Sequence, residues 1–256
     1  MATTEIFSRF RLDDKRVLIT GASSGFGAHF AELLSAAGAE VVLAARRADK
    51  LTDLQLALQA QGRKASSVSM DVSSRASVEA AFDQVGDCDI VVNNAGITVT
   101  RALLDQTEED WDSVIDTNLK GCWLVATEAA RRLRVAEKPG AIVNVASILG
   151  ERVAAGVAPY AISKAAVIQA TKVMALELAR YHIRVNALLP GYVVTDLNSD
   201  FLKSEAGEKL RSRIPTRRFG DITDLDGPLL LLCSEAGTGM TGSCLTVDHG
   251  HLLSSL

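Results

Sequence analysis

The chain has 256 residues, of which 48% are hydrophobic and 23% charged, the usage of an ordinary globular protein. Its net charge of −4 disfavours a surface for nucleic acid or anionic membranes. This length predicts one domain over residues 1–256, and the charged N-terminus with no long apolar run indicates neither a signal peptide nor a membrane span.

Cysteine and histidine usage points away from disulfides and metals. Cys88, Cys122, Cys233 and Cys244 show no C-x-x-C spacing, which suits a reducing cytoplasm. The four histidines are scattered, and no acidic or thiol partner lies close in sequence to His249 or His251. We therefore expect a cytoplasmic protein with no metal site.

Apolar runs alternate with helical patterns along the whole chain. Most of the predicted strands are near-continuous in Val, Ile, Leu and Ala, as parallel strands buried on both faces are. They cover residues 16–20, 40–45, 65–70, 90–93, 141–145, 184–189 and 244–247. The predicted helices cover residues 26–37, 48–61, 74–85, 108–135, 159–181 and 223–234. This alternation predicts an α/β fold, a Rossmann-type doubly wound sheet of seven parallel strands with helices on both faces.

The turn after the first strand is rich in glycine, with TGASSGFG at residues 20–27. Glycines permit a tight turn and let backbone N–H groups approach a phosphate, while the helix N-terminus adds partial positive charge. The spacing is G-x-x-x-G-x-G, not the general G-x-G-x-x-G, and many βα turns hold glycine. Its position between a strand and a helix favours a nucleotide site.

The end of the second strand bears on which nucleotide is bound. An NAD-binding fold usually presents an acid there to the ribose 2′-hydroxyl. Ala45 stands there instead, followed by Arg46 and Arg47. Two guanidinium groups suit a 2′-phosphate, so NADP is predicted in preference to NAD, although such residues are also common as solvated loop charges.

Tyr160 and Lys164 stand one helical turn apart, thirteen and seventeen residues after Ser147. A phenol and an ammonium at this spacing share a helix face, where the ammonium can lower the pKa of the phenol. Such a phenol could give a proton to a carbonyl oxygen at neutral pH. Each residue alone has a plainer explanation, as core, surface or turn cap. Together with a nucleotide turn they predict redox chemistry on a carbonyl or alcohol.

With these motifs in this order, the chain resembles the short-chain dehydrogenases/reductases over about residues 13–253. The resemblance rests on the glycine turn, Asp71 after the third strand, NNAG at residues 93–96, Asn118, Ser147, the Tyr160–Lys164 pair and the segment from Pro190 to Thr195. It implies a catalytic set of Asn118, Ser147, Tyr160 and Lys164. In that set Asn118 would hold a water for proton relay to Lys164, and Ser147 would bond the carbonyl oxygen.

The resemblance also implies the cofactor contacts. The predicted residues are Gly21, Ser23, Ser24, Gly25, Phe26, Gly27, Arg46, Arg47, Asp71, Val72, Asn94, Ala95, Gly96, Tyr160, Lys164, Pro190, Gly191, Val193 and Thr195. Phe26 replaces the family's usual Ile or Leu, and His249 stands where a glycine is commoner. A homotetramer, or a homodimer, is the implied assembly.

Residues 192–220 are predicted to cover the substrate as a lid, with Leu197, Phe201, Leu202, Leu210 and Ile214 as its apolar side chains. Leu149, Val153 and Ala154 are expected to line the pocket, with Glu151 and Arg152 at its mouth. The apolar side chains of this predicted lid and pocket favour NADP-dependent reduction of a hydrophobic ketone or 3-oxoacyl group. The alternatives are an NAD-dependent alcohol or sugar dehydrogenase of the same family, and a non-catalytic nucleotide-binding protein.

Overall fold

A parallel sheet forms the centre of the molecule. The computed structural model describes residues 3–195 and 199–254. Its strands are β1 (Arg16–Thr20), β2 (Glu40–Ala45), β3 (Ala65–Ser69), β4 (Ile90–Asn93), β5 (Gly140–Val145), β6 (Ile183–Pro190) and β7 (Cys244–Val247). Within the described residues these seven strands lie in the order β3-β2-β1-β4-β5-β6-β7, with every neighbouring pair parallel. The predicted doubly wound fold is confirmed.

The helices cover both faces of this sheet. They are α1 (Thr3–Ser8), α2 (Gly25–Ala36), α3 (Ala48–Ala60), α4 (Arg75–Val85), α5 (Glu108–Ile115), α6 (Gly121–Val135), α7 (Ala158–Leu178), α8 (Ser199–Leu202), α9 (Glu205–Arg211) and α10 (Asp226–Cys233). None of the helices in the described ranges is long and apolar enough to cross a membrane.

Alternate residues of each strand enter separate cores, because successive side chains point to opposite faces. Val17 and Ile19 of β1 join a cluster with residues of α2, α3 and α10. Leu18, between them, joins a second cluster with residues of α4, α6 and α7. Both faces of the sheet are therefore buried, which explains why its central strands are rich in apolar residues.

The strand order reverses between β1 and β4, which are neighbours in the sheet. The connections from these two strands leave in opposite directions, and a crevice opens at their carboxyl ends. Ligands of open α/β sheets bind at such a point. Thr20 and Asn93 end these strands, so the glycine turn and the NNAG segment meet there.

Most predicted boundaries agree with the structure. β1, β2, β4 and β7 have the predicted bounds, and the other strands differ by one residue at one or both ends. The predicted helix at 108–135 is not a continuous α-helix, because a π-helical segment, Asp116–Lys120, separates α5 from α6. The predicted helix at 223–234 begins as a 3₁₀ turn, Ile222–Leu225, before α10. The short helices α1, α8 and α9 were not predicted.

Main-chain hydrogen bonds join the two ends of the predicted lid. The N–H of Val194 donates to Gly220 O at 3.1 Å, and the N–H of Gly220 donates to Tyr192 O at 2.8 Å. Leu202 and Ile214 are buried, while Leu210 is partly buried. Leu197 and the side chain of Phe201 lie outside the described residues. The role of this segment as a lid stays a prediction.

Candidate active site

Thr20 joins the two turns that form the floor of the crevice. Its buried hydroxyl accepts hydrogen bonds from the N–H groups of Asn94 and Ala95, both at 3.0 Å. The Asn94 side-chain amide donates in turn to Thr20 O at 2.9 Å. Three hydrogen bonds therefore hold the start of the glycine turn against the NNAG segment. Asn94 and Ala95, predicted as cofactor contacts, lie beside Gly21.

Two glycines of the turn are required for opposite reasons. A Cβ on Gly27 would lie 2.3 Å from Gly21 O and 2.7 Å from Asn94 Nδ2, so only glycine fits at this close contact. Gly25 has a φ of +54°, but no described atom lies within 4 Å of a Cβ built on it. The left-handed conformation there leaves open space at the start of α2, which suits the approach of a phosphate.

The first turn of α2 has free donors for such an anion. Ser24 is its N-cap residue, and among the described residues its side chain caps no N–H group of the helix. The leading N–H groups of a helix without a side-chain cap favour an anionic ligand. Phe26, in the same turn, stacks on Phe30 at a centroid distance of 5.9 Å and packs against the core. Its ring therefore supports α2 from within.

Arginine side chains lie beside this turn. Arg47 Nη2 donates to Ser23 Oγ at 2.8 Å and to Ser24 Oγ at 3.0 Å, so its guanidinium reaches the glycine turn from the end of β2. Arg46 lies close enough to Asp71 to help lower the pKa of that carboxyl. The end of β2 is therefore positively charged, as a 2′-phosphate would require.

Asp71 and Val72 form the next part of the rim, after β3. Asp71 Oδ1 accepts hydrogen bonds from the hydroxyl and the N–H of Ser73, at 2.7 and 3.0 Å. The Ser73 hydroxyl is the main cause of the lowered pKa of Asp71. Val72 packs against Gly121, where a Cβ would lie 2.7 Å from Val72 Cγ2. The start of α6 therefore supports the rim closely.

Ser147, Tyr160 and Lys164 meet beyond β5. Ser147 lies two residues after the end of this strand, and its Oγ accepts the N–H of Leu149 at 3.1 Å. The Ser147 side chain also interacts with the Tyr160 phenol. Lys164, one turn along α7, is 5% exposed, and its Nζ lies 5.6 Å from the centre of the Tyr160 ring. The predicted Ser–Tyr–Lys set is thus assembled in space.

Asn118 and Gly96 complete this group from the other side. A Cβ on Gly96 would lie 3.3 Å from Asn118 Oδ1 and 3.5 Å from Lys164 Nζ. Asn118 Nδ2 donates to Ser163 Oγ at 3.0 Å, and Ser163 Oγ donates to Tyr160 O at 2.7 Å. The π-helical segment is therefore joined to the helix that carries the tyrosine. Sequence reasoning missed Ser163, although it lies three residues after Tyr160 on the same helix.

The acidity of Tyr160 differs from the expectation. Burial raises the pKa of Tyr160 and outweighs the opposite effect of the Ser147 hydroxyl. Burial also lowers the pKa of Lys164, to about 8. Lys164 Nζ donates to Val145 O at 2.7 Å, so its hydrogen bond goes to the main chain of β5. The predicted lowering of the phenol pKa by Lys164 is not found in the chain alone, where desolvation sets the direction of both pKa shifts.

The last of the predicted cofactor contacts lie at the end of β6 and directly after it. The N–H of Gly191, which comes directly after Pro190, donates to Val247 O at 2.8 Å; a Cβ on Gly191 would lie 2.8 Å from Asp248 Cα. Val193 is buried and forms an isolated bridge with Gly220. Thr195 is the last residue described before the gap at 196–198.

Both C-terminal histidines have defined surroundings. His249 has a φ of +56°, a conformation that explains why glycine is favoured at its place, and its Nε2 lies 3.0 Å from Asp224 Oδ2. The ring of His251 lies 5.6 Å from that of Tyr192. Tyr192 in turn contributes to the raised pKa of Tyr160. Sequence reasoning placed Tyr192 in the predicted lid but missed His251 as a neighbour of the site, because no local pattern joins the two.

The predicted pocket residues after Ser147 fall into two groups. Val153 and Glu151 are exposed, whereas Leu149, Arg152 and Ala154 are partly buried. Arg152 Nη1 donates to His251 O at 2.5 Å and to Ser254 Oγ at 3.1 Å. Arg152 therefore contacts the C-terminal segment beside Tyr192.

Comparison with known proteins agrees with this fold. The profile of a family described as enoyl-(acyl carrier protein) reductase matches residues 21–251. The chain is 36% identical to gluconate 5-dehydrogenase from Gluconobacter oxydans over 246 residues, covering 94% of this chain and 96% of the relative. It is 37% identical to 3-oxoacyl-(acyl-carrier-protein) reductase from Thermotoga maritima over 244 residues, covering 94% and 98%.

Solved structures are equally similar. A gluconate 5-dehydrogenase from Burkholderia cenocepacia, in complex with NADP and tartrate, superposes with a TM-score of 0.92 at 37% identity, covering 97% of this chain and 99% of that one. The fold and these relatives define a nicotinamide-dependent oxidoreductase that acts on alcohol and carbonyl groups. The chain belongs to the short-chain dehydrogenase/reductase family.

Proposed function

We propose that this chain catalyses the NADP(H)-dependent, reversible reduction of a ketone to a secondary alcohol. The observation that carries the proposal is the convergence of Ser147, Tyr160 and Lys164 at the end of a crevice whose other end carries Arg46 and Arg47. One end has the groups for proton transfer and the other has the charge for a phosphorylated nucleotide.

The residues of the crevice fit a dinucleotide. The open space at Gly25 and the uncapped start of α2 suit its pyrophosphate, and the guanidinium groups of Arg46 and Arg47 suit a 2′-phosphate. Two solved relatives, from Burkholderia cenocepacia and Agrobacterium tumefaciens, are described with NADP bound. When bound, NADPH supplies the hydride that reduces the carbonyl carbon.

The side chains at the other end of the crevice carry out the proton transfer. Tyr160 donates its phenolic proton to the carbonyl oxygen in reduction and takes it back in oxidation. The Ser147 hydroxyl donates a hydrogen bond to the same oxygen and stabilises the charge that develops there. Lys164 holds positive charge beside Tyr160, with its pKa of about 8 keeping most of the ammonium protonated at pH 7.

The names of the relatives indicate two classes of substrate. One group of similar proteins is named for gluconate and another for 3-oxoacyl groups on acyl carrier protein. The buried Leu202 and Ile214 favour an apolar covering, as a ketone or 3-oxoacyl group would need. An NAD-dependent alcohol or sugar dehydrogenase is the second candidate, and the gluconate relatives favour it.

We further propose a homotetramer, or a homodimer, in the cytoplasm. Trp111, Trp123 and Leu176 expose 41%, 43% and 82% of their surface on α5, α6 and α7. Apolar groups exposed on neighbouring helices suit contact with another copy. The cysteines Cys88, Cys122, Cys233 and Cys244 are free thiols, as a reducing compartment requires. Light scattering on the purified chain tests the assembly.

A spectrophotometric screen tests the activity. Ketones, oxo acids, 3-oxoacyl thioesters and secondary alcohols are each assayed with NADPH or NADP and with NADH or NAD. We expect turnover with the phosphorylated cofactor. Tyr160→Phe should lower turnover by about 10²–10⁴-fold while NADPH still binds, because proton transfer is lost. Unchanged turnover in this variant would refute the role of Tyr160, and no turnover with any substrate would favour a non-catalytic nucleotide-binding protein.

A further inference from the structure

The segment that follows Ser147 folds back tightly and holds Arg152 near the reacting end of the crevice. The N–H of Gly150 donates to Ser147 O at 3.0 Å, and the N–H of Arg152 donates to Ile148 O at 2.8 Å. These two turns keep the Arg152 backbone within a short distance of the serine that faces Tyr160. The position of Arg152 therefore depends on the same turn as that of Ser147.

Arg152 is a partly buried cation without a carboxylate partner in the described part of the chain. Its Nη1 contacts His251 O and Ser254, whereas its Nε and Nη2 have no hydrogen-bond partner among residues 3–195 and 199–254. The nearby carboxylate of Asp248 accepts hydrogen bonds from the N–H groups of Gly250 and Leu252, at 2.8 and 2.7 Å. The N–H groups on Nε and Nη2 of a guanidinium point in parallel and match the two oxygens of a carboxylate.

The residues around Arg152 add further hydrogen-bond donors. His251 is 2% exposed, and its Nδ1 has no partner among the described residues. The centre of the Tyr192 ring lies 5.6 Å from the centre of the His251 ring. Tyr192 also lies close enough to Tyr160 and to Arg152 for their charges to interact with its own. Arg213 also acts on His251 from the 192–220 segment. The surroundings of Tyr192 and His251 are therefore polar, with two arginines and the carboxylate of Asp248, although the rest of the covering is apolar.

We infer that Arg152 binds a carboxylate of the substrate, with Tyr192 and His251 beside it, so that the enzyme acts on oxo acids and the corresponding hydroxy acids. This inference rests on the proposed function, since it concerns the other end of the molecule whose carbonyl meets Tyr160. A neutral ketone would leave the guanidinium fork and the His251 nitrogen without a ligand. Leaving buried polar groups unpaired is unfavourable.

Matched pairs of substrates test the inference. The initial rates of 4-oxopentanoate, 5-oxohexanoate and 5-ketogluconate are compared with those of their methyl esters, using NADPH. We expect kcat/KM for the best acid to exceed that for its ester by about 10- to 100-fold, the value of a charged hydrogen bond. In Arg152→Gln the ratio of acid to ester should fall to about one, because kcat/KM for the acid falls more than kcat/KM for the ester.

Control variants separate charge from the structural contact of Arg152 with the C-terminal segment. Arg152→Lys should keep part of the preference, because it keeps the charge. Ser254→Ala removes one contact of Arg152 without changing charge and should keep the full ratio. Arg75→Gln removes an arginine that pairs with Glu79 on the surface of α4, and should have no effect.

A binding measurement adds a readout that does not depend on turnover. The melting temperature of the NADP-loaded protein is recorded with glutarate and with glutaramide, for the parent and for Arg152→Gln. Stabilisation by glutarate alone, lost in the variant, is expected. Equal use of acid and ester by the parent, or an unchanged ratio in Arg152→Gln, would overturn the inference and leave the proposed ketone reduction intact. No turnover with either substrate would reject the proposed function instead.

Discussion

The side-chain amide of Asn118 is paired with the main chain of Ile97. Asn118 Oδ1 accepts the N–H of Ile97 at 2.8 Å, and Asn118 Nδ2 donates to Ile97 O at 2.9 Å. Nδ2 also donates to Ser163 Oγ, and Asn118 is 2% exposed. Both polar atoms of the side chain are thus engaged with protein groups, and the role of Asn118 in a water relay stays a prediction. π-Helical turns are frequent at functional sites.

This pairing predicts that Asn118→Ala lowers both stability and turnover. The change leaves the N–H and C=O of Ile97 and the Ser163 hydroxyl without their partner, at about 1–3 kcal/mol for each group that stays unsatisfied. Because Ser163 bonds to Tyr160 O, we also expect kcat to fall at least about tenfold. Urea denaturation and steady-state kinetics measure the two effects. Ser113→Ala, a surface hydroxyl on α5, is the control, and a parent-like kcat in Asn118→Ala would contradict the prediction.

The arginines after β2 should set the preference for NADPH. Arg46→Gln and Arg47→Gln are each expected to lower kcat/KM for NADPH by about 10- to 100-fold, the effect of losing a charged hydrogen bond. The value for NADH should change little, because NADH has no 2′-phosphate. Arg63→Gln, which alters an arginine bonded to Glu32 O on the same side of the sheet, is the control. Equal losses with both cofactors would count against a 2′-phosphate site.

Burial of Lys164 should destabilise the chain in the absence of cofactor. Burial lowers the pKa of Lys164 from 10.5 to about 8. Below pH 8 the side chain is charged in the folded state, which lowers the free energy of unfolding by on the order of 3 kcal/mol. Lys164→Met removes this cost and also the hydrogen bond to Val145 O, worth about 1 kcal/mol. We therefore expect the variant to be more stable by about 1–3 kcal/mol at pH 7, although inactive.

The sign of the pH dependence follows from the same pKa. The folded parent loses the Lys164 proton near pH 8 and the unfolded chain near 10.5, so the cost falls as pH rises between these values. The advantage of Lys164→Met should thus be greatest at pH 7 and disappear by about pH 10.5. Guanidinium denaturation at several pH values measures it, with the exposed Lys172→Met as control. A constant difference across this range would show that Lys164 is not the cause.

Gly25 and Gly27 should respond differently to replacement by alanine. Gly27→Ala places a Cβ 2.3 Å from Gly21 O, so we expect a loss of several kcal/mol in stability. Gly25→Ala has space but strained backbone at φ +54°, which costs about 1–2 kcal/mol. Its methyl group would occupy the space left for the phosphate, so NADPH should bind at least about tenfold more weakly.

A third glycine is the matched control for that pair. Gly62 has a φ of +74° and open space around it, but it follows α3 away from the crevice. Gly62→Ala should therefore cost similar stability without changing the dissociation constant of NADPH. Thermal unfolding and fluorescence titration measure both quantities. Parent-like NADPH affinity in Gly25→Ala would argue against a phosphate at the start of α2.

The sequence alone determined the sheet and the order of the site motifs. Parallel strands buried on both faces are rich in apolar residues, so β1, β2 and β4 could be delimited to the residue, and the partly buried β7 was also predicted with its observed bounds. The one-turn spacing of Tyr160 and Lys164 is a local property of a helix, and it predicted that both side chains lie together. The position of the glycine turn between a strand and a helix predicted the nucleotide site.

Only the tertiary structure decided how these parts interact. The π-helical segment arises where Asn118 bonds to Ile97, twenty-one residues away, and no propensity marks it. Arg152 meets His251 across ninety-nine residues, and Tyr192 approaches Tyr160 only through packing. The direction of the Tyr160 pKa shift likewise depended on burial, which spacing does not reveal. Contacts between distant segments, and the dielectric they create, follow from how the whole chain packs.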